Sequence, residues 1–426
     1  MNVLLIGSGG REHAIARQIH LSAKLDNLYI SPGNPGIAEY GKNTILNISD
    51  HQSVINFCKE NSIDLVVVGP EQPLIEGLAD SLIENSIKVF GPNKEAAKIE
   101  GDKSFAKEIM QKANVPTGEY KKFNKINKEA ALTYLETTSY PTVIKAIGLA
   151  AGKGVLICNN YKEAAEAVIN CFEKRIFGES GDSIIIEEFL TGQEASVFAI
   201  CDGKEFVTLP VSQDHKRIFD GDNGKNTGGM GSYAPAPIVN DKLLTEIETR
   251  IIQPVLDTLA SEGKKYTGCL YAGLILTEAG PKVIEFNCRF GDPETQVVLP
   301  ILEGDFLELL YSAASGNVSK NSVSYKGKSA VCVVASSKGY PDEYKKGFEI
   351  SGIEKAEKSG AIVFHAGTKF EDGKLLTNGG RVLGVTAVVN NNDLKLCKEK
   401  AYEFISKINF EGMYFRKDIS DKAIYL

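Results

Sequence analysis

Between residues 2 and 90, short apolar runs alternate with amphipathic helical stretches, and this alternation restricts the fold more than any other feature of the chain. "NVLLIG" reads as a buried strand, "REHAIARQIHLS" as a helix and "NLYISPG" as a strand ending in a turn. "HQSVINFCKENS" and "LIEGLADSLIENS" read as helices, each followed by a strand, in "IDLVVVGPEQP" and "KVFGP". Strands joined by crossover helices make a parallel sheet. Ligands of such sheets bind at the carboxyl ends of the strands, where "GSGGREH", "SPGNPG" and "GPEQP" fall.

One helical stretch, "NKEAAKIEGDKSFAKEIMQKA", is expected next and ends before Pro116. A smaller α/β unit follows from about 120 to 190, holding "YPTVIKA", a glycine loop, "GVLICNN", a helix and "SIIIEEFL". Longer β signals come after it, and "CLYAGLILTEAGPKVIEFN" reads as a hairpin turning at "EAGPK". A polar, linker-like stretch, "SGNVSKNSVSYKGK", precedes the strand "SAVCVVASS", which opens a β-rich C-terminal domain. The fold class expected is therefore α/β and α+β in several domains, as a length of 426 residues requires.

A net charge of −7 excludes a general nucleic-acid binder, which would carry a basic face. No apolar run approaches the roughly 20 residues of a membrane span, and "MNVLLIGSGG" lacks a basic leader. Eight scattered cysteines without a C-x-x-C pair fit free thiols in a reducing cytoplasm better than disulfides or zinc. Only eight of the 48 basic residues are Arg, and Arg11, Arg217, Arg289 and Arg381 lie in or beside glycine-rich or acidic motifs. Arginine is the better bidentate ligand for phosphate and carboxylate.

"TVIKAIGLAAGKGV" resembles a phosphate cradle but not a Walker loop. Gly148 and Gly152 are one residue too close, and Gly154 follows Lys153 where a Ser or Thr would hold Mg²⁺. Lys145 ends an apolar strand, where an unpaired charge is costly; with Lys103 it is a candidate to neutralise phosphate. Glu187 and Glu188 follow another apolar strand, as an edge feature or as an adenosine-binding hinge, with Glu194 on the next turn. "QDHKRIFDGDNGKNTGGMGSYAPAP" lacks the alternation of regular structure and reads as a long functional loop. Glu285 and Asn287 are two apart on a strand, so they face one side and can offer oxygens to one Mg²⁺. "GSGGREHAIA" is either a tight turn or an anion site, and as a dinucleotide fingerprint it is imperfect. Lysines, oxygen ligands and a hinge suit phosphoryl transfer by positioning and electrostatics. A nicotinamide oxidoreductase would leave "EFNCRFGDPE" and the lysine pair without a purpose.

Through "GSGGREHA", "VGPEQPL", "FGPNKEAAKIEGDKSFAK", "IKAIGLAAGKGV", "IEEFLTGQEAS", "QDHKR", "NTGGMGSYAPAP", "EFNCRFGDPETQ" and "NGGRVLGV", the chain resembles the phosphoribosylamine–glycine ligases, ATP-grasp enzymes of purine synthesis. The resemblance implies an N-terminal parallel-sheet domain over residues 1–103, an ATP-grasp domain over 104–328 with a lid at about 121–190, and a C-terminal domain over 329–426. It implies a cytoplasmic monomer with small-molecule substrates, acting on neither nucleic acid nor membranes and using ATP with Mg²⁺ or Mn²⁺. Lys103, Lys145, Gly148, Gly152, Lys153, Gly154, Glu187, Glu188, Leu190 and Glu194 would bind ATP, and Glu285 and Asn287 the metal. Gly9, Gly10, Arg11, Glu71, Asp292 and Arg381 would surround the phosphoribosyl substrate, with Arg381 on the 5′-phosphate. Asp214, Lys216 and Arg289 would serve the glycyl phosphate or the amine. Where the family usually has Asp after "KA", this chain has Ile147, so a charge that would hold Lys145 or brace the loop is expected to be missing.

Overall fold

The computed structural model describes residues 1–148 and 154–424. The alternating N-terminal pattern becomes strands β1 (Asn2–Gly7), β2 (Asn27–Pro32), β3 (Lys42–Asn43), β4 (Leu65–Val68) and β5 (Val89–Phe90). They form a parallel sheet of order β3-β2-β1-β4-β5. The order reverses at β1, so the crevice between the ends of β1 and β4 is the place for a ligand. The stretch read as one helix after Pro73 is two helices, Glu71–Glu76 and Leu78–Glu84, because Gly77 takes φ +97° between them.

The passage from 94 to 112 also divides, into helices Lys94–Gly101 and Lys103–Lys112. Asp102 makes the break: its carboxylate accepts the N–H groups of Ser104 (2.8 Å) and Phe105 (3.1 Å), starting a new helix at Lys103.

Strands β6 (Tyr120–Asn124), β7 (Thr142–Ala146), β8 (Val155–Cys158) and β9 (Ser183–Glu188) form an antiparallel sheet of order β6-β9-β7-β8. Its own core, around Phe123, Leu135, Ile144, Val168 and Phe172, is separate from the clusters that run through the rest of the molecule.

Beyond it lie β10 (Gln193–Asp202) and β11 (Phe206–Thr208), then four strands where a loop was expected: β12 (Gln213–Asp214), β13 (Arg217–Phe219), β14 (Asn223–Asn226) and β15 (Gly231–Ala234). The hairpin β16 (Thr267–Thr277) and β17 (Gly280–Asn287) completes the sheet β11-β10-β16-β17. The linker-like stretch also holds a strand, since β18 (Leu302–Gly304) pairs with β19 (Val323–Tyr325).

The C-terminal region adds β20 (Lys328–Ser337), β21 (Ile362–His365), β22 (Thr368–Glu371), β23 (Lys374–Thr377), β24 (Arg381–Asn390) and β25 (Met413–Tyr414). Its main sheet runs β12-β15-β20-β24-β21, so β12 and β15 belong to it although they lie over 90 residues earlier. All eight cysteines are buried free thiols. Among the described residues no helix is long and apolar enough to cross a membrane.

Candidate active site

The ends of β1 and β4 floor a cavity of about 370 Å³, lined by Gly9, Arg11, Glu12, Pro32, Pro70 and Asp292 among others. Gly9 and Gly10 carry the chain from β1 into helix Gly10–His20, and a Cβ on Gly10 would lie 2.7 Å from Gln296 Nε2. Arg11 donates from Nε to Glu12 (2.5 Å) and from Nη1 to the Phe290 carbonyl (3.3 Å). Glu12 also accepts the Gly9 N–H at 2.7 Å. Its side chain fills the notch beside two strand ends, where a Cβ on Gly7 or Gly69 would lie 2.3 or 2.2 Å from it. A carboxylate of the protein thus sits against the helix-start amides that a dinucleotide pyrophosphate would need. That observation disfavours the nicotinamide reading.

Asp292 follows β17 and pairs with Arg381 at 3.2 Å, while Gln296 Nε2 donates to it at 2.7 Å. Burial pushes its carboxyl up, but the Arg381 and Arg11 guanidiniums outweigh burial and hold it below the usual carboxylate range. Arg381 Nη1 donates to the carbonyls of Gly228 and Asp292, each at 2.7 Å. Gly9, Arg11, Asp292 and Arg381 are therefore brought together. Glu71, at the end of β4, joins them through Arg289 at 3.2 Å. Arg289 also pairs with Glu100 at 2.8 Å, and Glu100 accepts the Cys288 N–H at 2.7 Å. Burial raises the Glu100 carboxyl above its ordinary range.

On the other side of Arg289 lies the lysine group. Lys145, near the end of β7, pairs with Glu187 at 2.6 Å and donates to the Ile284 carbonyl at 3.3 Å. Glu187 is shared with Lys107, whose ammonium also donates to Thr117 Oγ1 at 2.7 Å. The charge expected to be missing at Ile147 is thus supplied by Glu187. Ile147 instead packs with its backbone tied to Lys103 N (3.1 Å) and Ser183 O (3.1 Å). Lys103 Nζ donates to the Gly148 carbonyl at 3.4 Å, and burial lowers its pKa. Gly148 has no room for a side chain, since a Cβ would meet Ser180 Oγ at 2.8 Å. The Gly154 carbonyl accepts the Ala146 N–H at 2.8 Å. Gly152 and Lys153 lie outside the described residues.

Glu188 is exposed beside Lys282 (3.5 Å), Leu190 lies two residues beyond it, and Glu194 pairs with Lys216 at 2.7 Å. The structure gives the buried Glu187 side chain two lysines to hold.

Glu285 and Asn287 sit on β17 opposite Gly273 and Tyr271 of β16, which offers no further carboxylate. The Glu285 carboxylate makes no hydrogen bond or ion pair to another described residue. Burial pushes its carboxyl up, but Lys216, Lys145, Lys103 and Arg289 together bring it below its ordinary value. An ionised, unpaired carboxylate with an adjacent amide oxygen fits a hard divalent cation, which takes one or two protein oxygens and completes its shell with phosphate and water. No cluster of three or more His, Cys, Asp or Glu suited to a metal exists among the described residues.

Asp214 ends β12, buried, and burial pushes its carboxyl up to about 7 against the pull of Lys216. Lys216 is raised as well: burial lowers it, but Glu194 and Asp214 outweigh burial and lift it well above the ordinary lysine value. Beside them the buried Glu294 accepts from Tyr271 (3.0 Å) and Ser196 (3.2 Å).

Glu12, Glu100, Lys107 and Glu294 were not singled out in the sequence. Lys107 had a signal, lying one turn after Lys103 on the same helix face; a partner 80 residues away made it matter. A second hollow of about 340 Å³, between Asn124 and Asp182, contains none of the candidate residues.

Comparison with known proteins agrees with this geometry. Residues 1–100, 101–295 and 330–422 match the N, ATP-grasp (A) and C domains of phosphoribosylglycinamide synthetase. The phosphoribosylamine–glycine ligase of Caldanaerobacter subterraneus is 49% identical over 420 residues, 99% of each chain. The crystal structure of phosphoribosylamine–glycine ligase from Thermotoga maritima superposes with TM-score 0.86 at 34% identity, over 98% of this chain and all of that one. The biotin carboxylase domain of a Hydrogenobacter thermophilus 2-oxoglutarate carboxylase, solved with MgADP, shares the fold at TM-score 0.71 and 17% identity, over 97% of this chain and 91% of that one. With three domain models in order and full-length relatives near half identity, the chain belongs to the phosphoribosylglycinamide synthetase family.

Proposed function

We propose that the protein ligates glycine to 5-phospho-β-D-ribosylamine, forming glycinamide ribonucleotide, ADP and phosphate through a glycyl phosphate, as a step of purine biosynthesis. The observation that carries this reading is the position of Arg289. It stands between the lysine and metal-ligand group (Lys103, Lys145, Glu285, Asn287) and the cavity group (Arg11, Glu71, Asp292, Arg381). One guanidinium between two substrate sites suits a reaction whose intermediate passes from one to the other.

In the first step a glycine carboxylate oxygen attacks the γ-phosphorus of ATP and ADP leaves. Carboxylates resist amines until so activated. In the second step the ribosylamine nitrogen attacks the acyl carbon, inorganic phosphate leaves and the nitrogen loses a proton. Lys103 and Lys145 neutralise the phosphates. Gly148, Gly152, Lys153 and Gly154 belong to the ATP site as well; Glu187, Glu188 and Leu190 frame the adenine, and Glu194 the ribose. Asp214 receives the glycine ammonium, while Lys216 and Arg289 face the acyl phosphate. Gly9, Gly10, Arg11, Glu71, Asp292 and Arg381 hold the ribosylamine, with Arg381 on its phosphate. Glu285 and Asn287 would hold Mg²⁺ or Mn²⁺, which would supply charge neutralisation to the phosphoryl transfer. The protein acts as a monomer in the cytoplasm, a location that eight buried free thiols support. The domains implied are 1–103, 104–328 with a lid at 121–190, and 329–426.

The test is phosphate release from Mg·ATP with glycine and ribosylamine, the latter generated from ribose 5-phosphate and ammonia. Release is expected only with both acceptors present, and Lys145→Ala is expected to slow it by about 100-fold. Release that ignores either acceptor would falsify the ligase reading, and full rate in Lys145→Ala would remove that lysine from the phosphate site.

A further inference from the structure

The hairpin β13–β14 follows Lys216 directly and is almost entirely exposed, with only Ile218 buried. It returns to the site at Thr227, whose N–H and hydroxyl both donate to the Lys216 carbonyl, at 2.8 and 2.7 Å. So small and exposed a ribbon cannot hold its own position. What holds it comes from the far end of the chain.

Arg416 has a fully buried side chain. Its Nη1 donates to the Arg217 carbonyl and to Asp222, both at 3.0 Å. Nε and Nη2 form a fork onto Asp418, at 2.7 and 2.6 Å. Asp418 in turn accepts the Gly221 N–H at the hairpin tip, at 2.8 Å. Two further contacts repeat the pattern: Lys417 N donates to Asp220 (2.8 Å), and Lys422 pairs with Asp222 (2.7 Å). Tyr402 fixes the tail behind them, donating to the Arg416 carbonyl at 2.7 Å and accepting the Ile419 N–H at 3.1 Å. Arg416 therefore reaches the backbone one residue from Lys216 and, through Asp222 and Asp418, the opposite end of the hairpin.

We propose that Arg416 is a positioning residue: it tethers hairpin β13–β14 to the C-terminal tail and so sets where Asp214 and Lys216 meet glycine. The proposal rests on the assignment of Asp214 to the glycine ammonium and of Lys216 to the glycyl phosphate given above. A buried arginine that served stability alone would be replaceable by apolar packing. Here its donors go to the carbonyl and carboxylates that fix one functional segment.

Three measurements on the full-length protein test it. In Arg416→Gln, amide-exchange protection of residues 217–226 falls by at least about tenfold while the core strands keep theirs. The KM for glycine rises about tenfold, the KM for ATP stays within about twofold, and Arg416→Lys recovers part of the loss. Asp222→Asn, at a half-exposed carboxylate, gives the same pattern more weakly and carries the test if Arg416→Gln does not fold. A folded variant with unchanged protection in 217–226, or with both KM values moving together, overturns the tether.

Lys216→Ala separates this inference from the assignment beneath it. If Lys216→Ala leaves the glycine KM unchanged, the assignment of Lys216 fails, while loss of protection in Arg416→Gln still demonstrates the tether. If the double variant is no worse than Lys216→Ala, Arg416 acts through Lys216; full additivity overturns that coupling.

Discussion

Asp214 shows how much one side chain owes to its surroundings. The chain shows an aspartate beside a histidine and a lysine; burial above all, with the Glu294 and Glu194 carboxylates nearby, explains why its carboxyl is pushed up to about 7. A raised carboxylate pKa means that between about pH 4 and 7 the native state holds a proton the unfolded chain has released. This group's contribution to stability is therefore lost as pH rises through that window. Catalysis should respond oppositely, because only the ionised carboxylate accepts a glycine ammonium. The expected result is that kcat/KM for glycine rises through pH 7 and that Asp214→Asn abolishes the step; a pH profile of initial rates checks it. Lys145 teaches a related lesson. Its need for a partner was legible, but the partner was sought two residues away at Ile147, while the fold supplies Glu187 from the adjacent strand β9.

At the scale of elements, the parallel sheet, the lid strands and the β16–β17 hairpin were legible, since each carries its own periodicity. The two helix breaks were present in the residues, as Gly77 and as Asp102 before Ser104, but apolar spacing ran through both and hid them. The Asp102 break has a consequence for the site because it makes Lys103 the first residue of its helix. Asp102→Ala should cost about 1 kcal/mol of stability through the lost cap and raise the KM for ATP, as urea denaturation and steady-state kinetics would show. An unchanged KM would separate the cap from the lysine it places. Segment 213–234 was read as a loop because strands of two to four residues are too short to display alternation. β15 becomes a strand because β12 and, about 100 residues later, β20 provide its hydrogen-bonding partners.

At the scale of the whole molecule, that pairing ties the C-terminal region to the segment bearing Asp214 and Lys216. Residues 330–426 produced alone would leave one edge of β20 unpaired along "AVCVV", an apolar run prone to edge-to-edge association. The expected outcome is a fragment that scatters light and lacks a cooperative melt, judged by light scattering and circular dichroism. A soluble, cooperatively melting fragment would show that β15 is dispensable to that sheet. The β6–β9 sheet, with its own core, carries Lys145 and Glu187 on a unit distinct from the sheet carrying Glu285 and Asn287.

The amino-acid order by itself determined the sheet type at the N-terminus, the glycine and lysine chemistry of the nucleotide side, and the oxygen pair at Glu285 and Asn287. Each depends on neighbours within a few residues, through strand alternation, turn chemistry or side-chain type. The tertiary structure alone decided which charges face one another: Glu187 between two lysines, Arg289 between Glu71 and Glu100, Arg416 on the hairpin beyond Lys216. Those pairings span from 42 to 218 residues of chain. Electrostatic interaction depends on distance through space and on burial, and neither can be read along a chain.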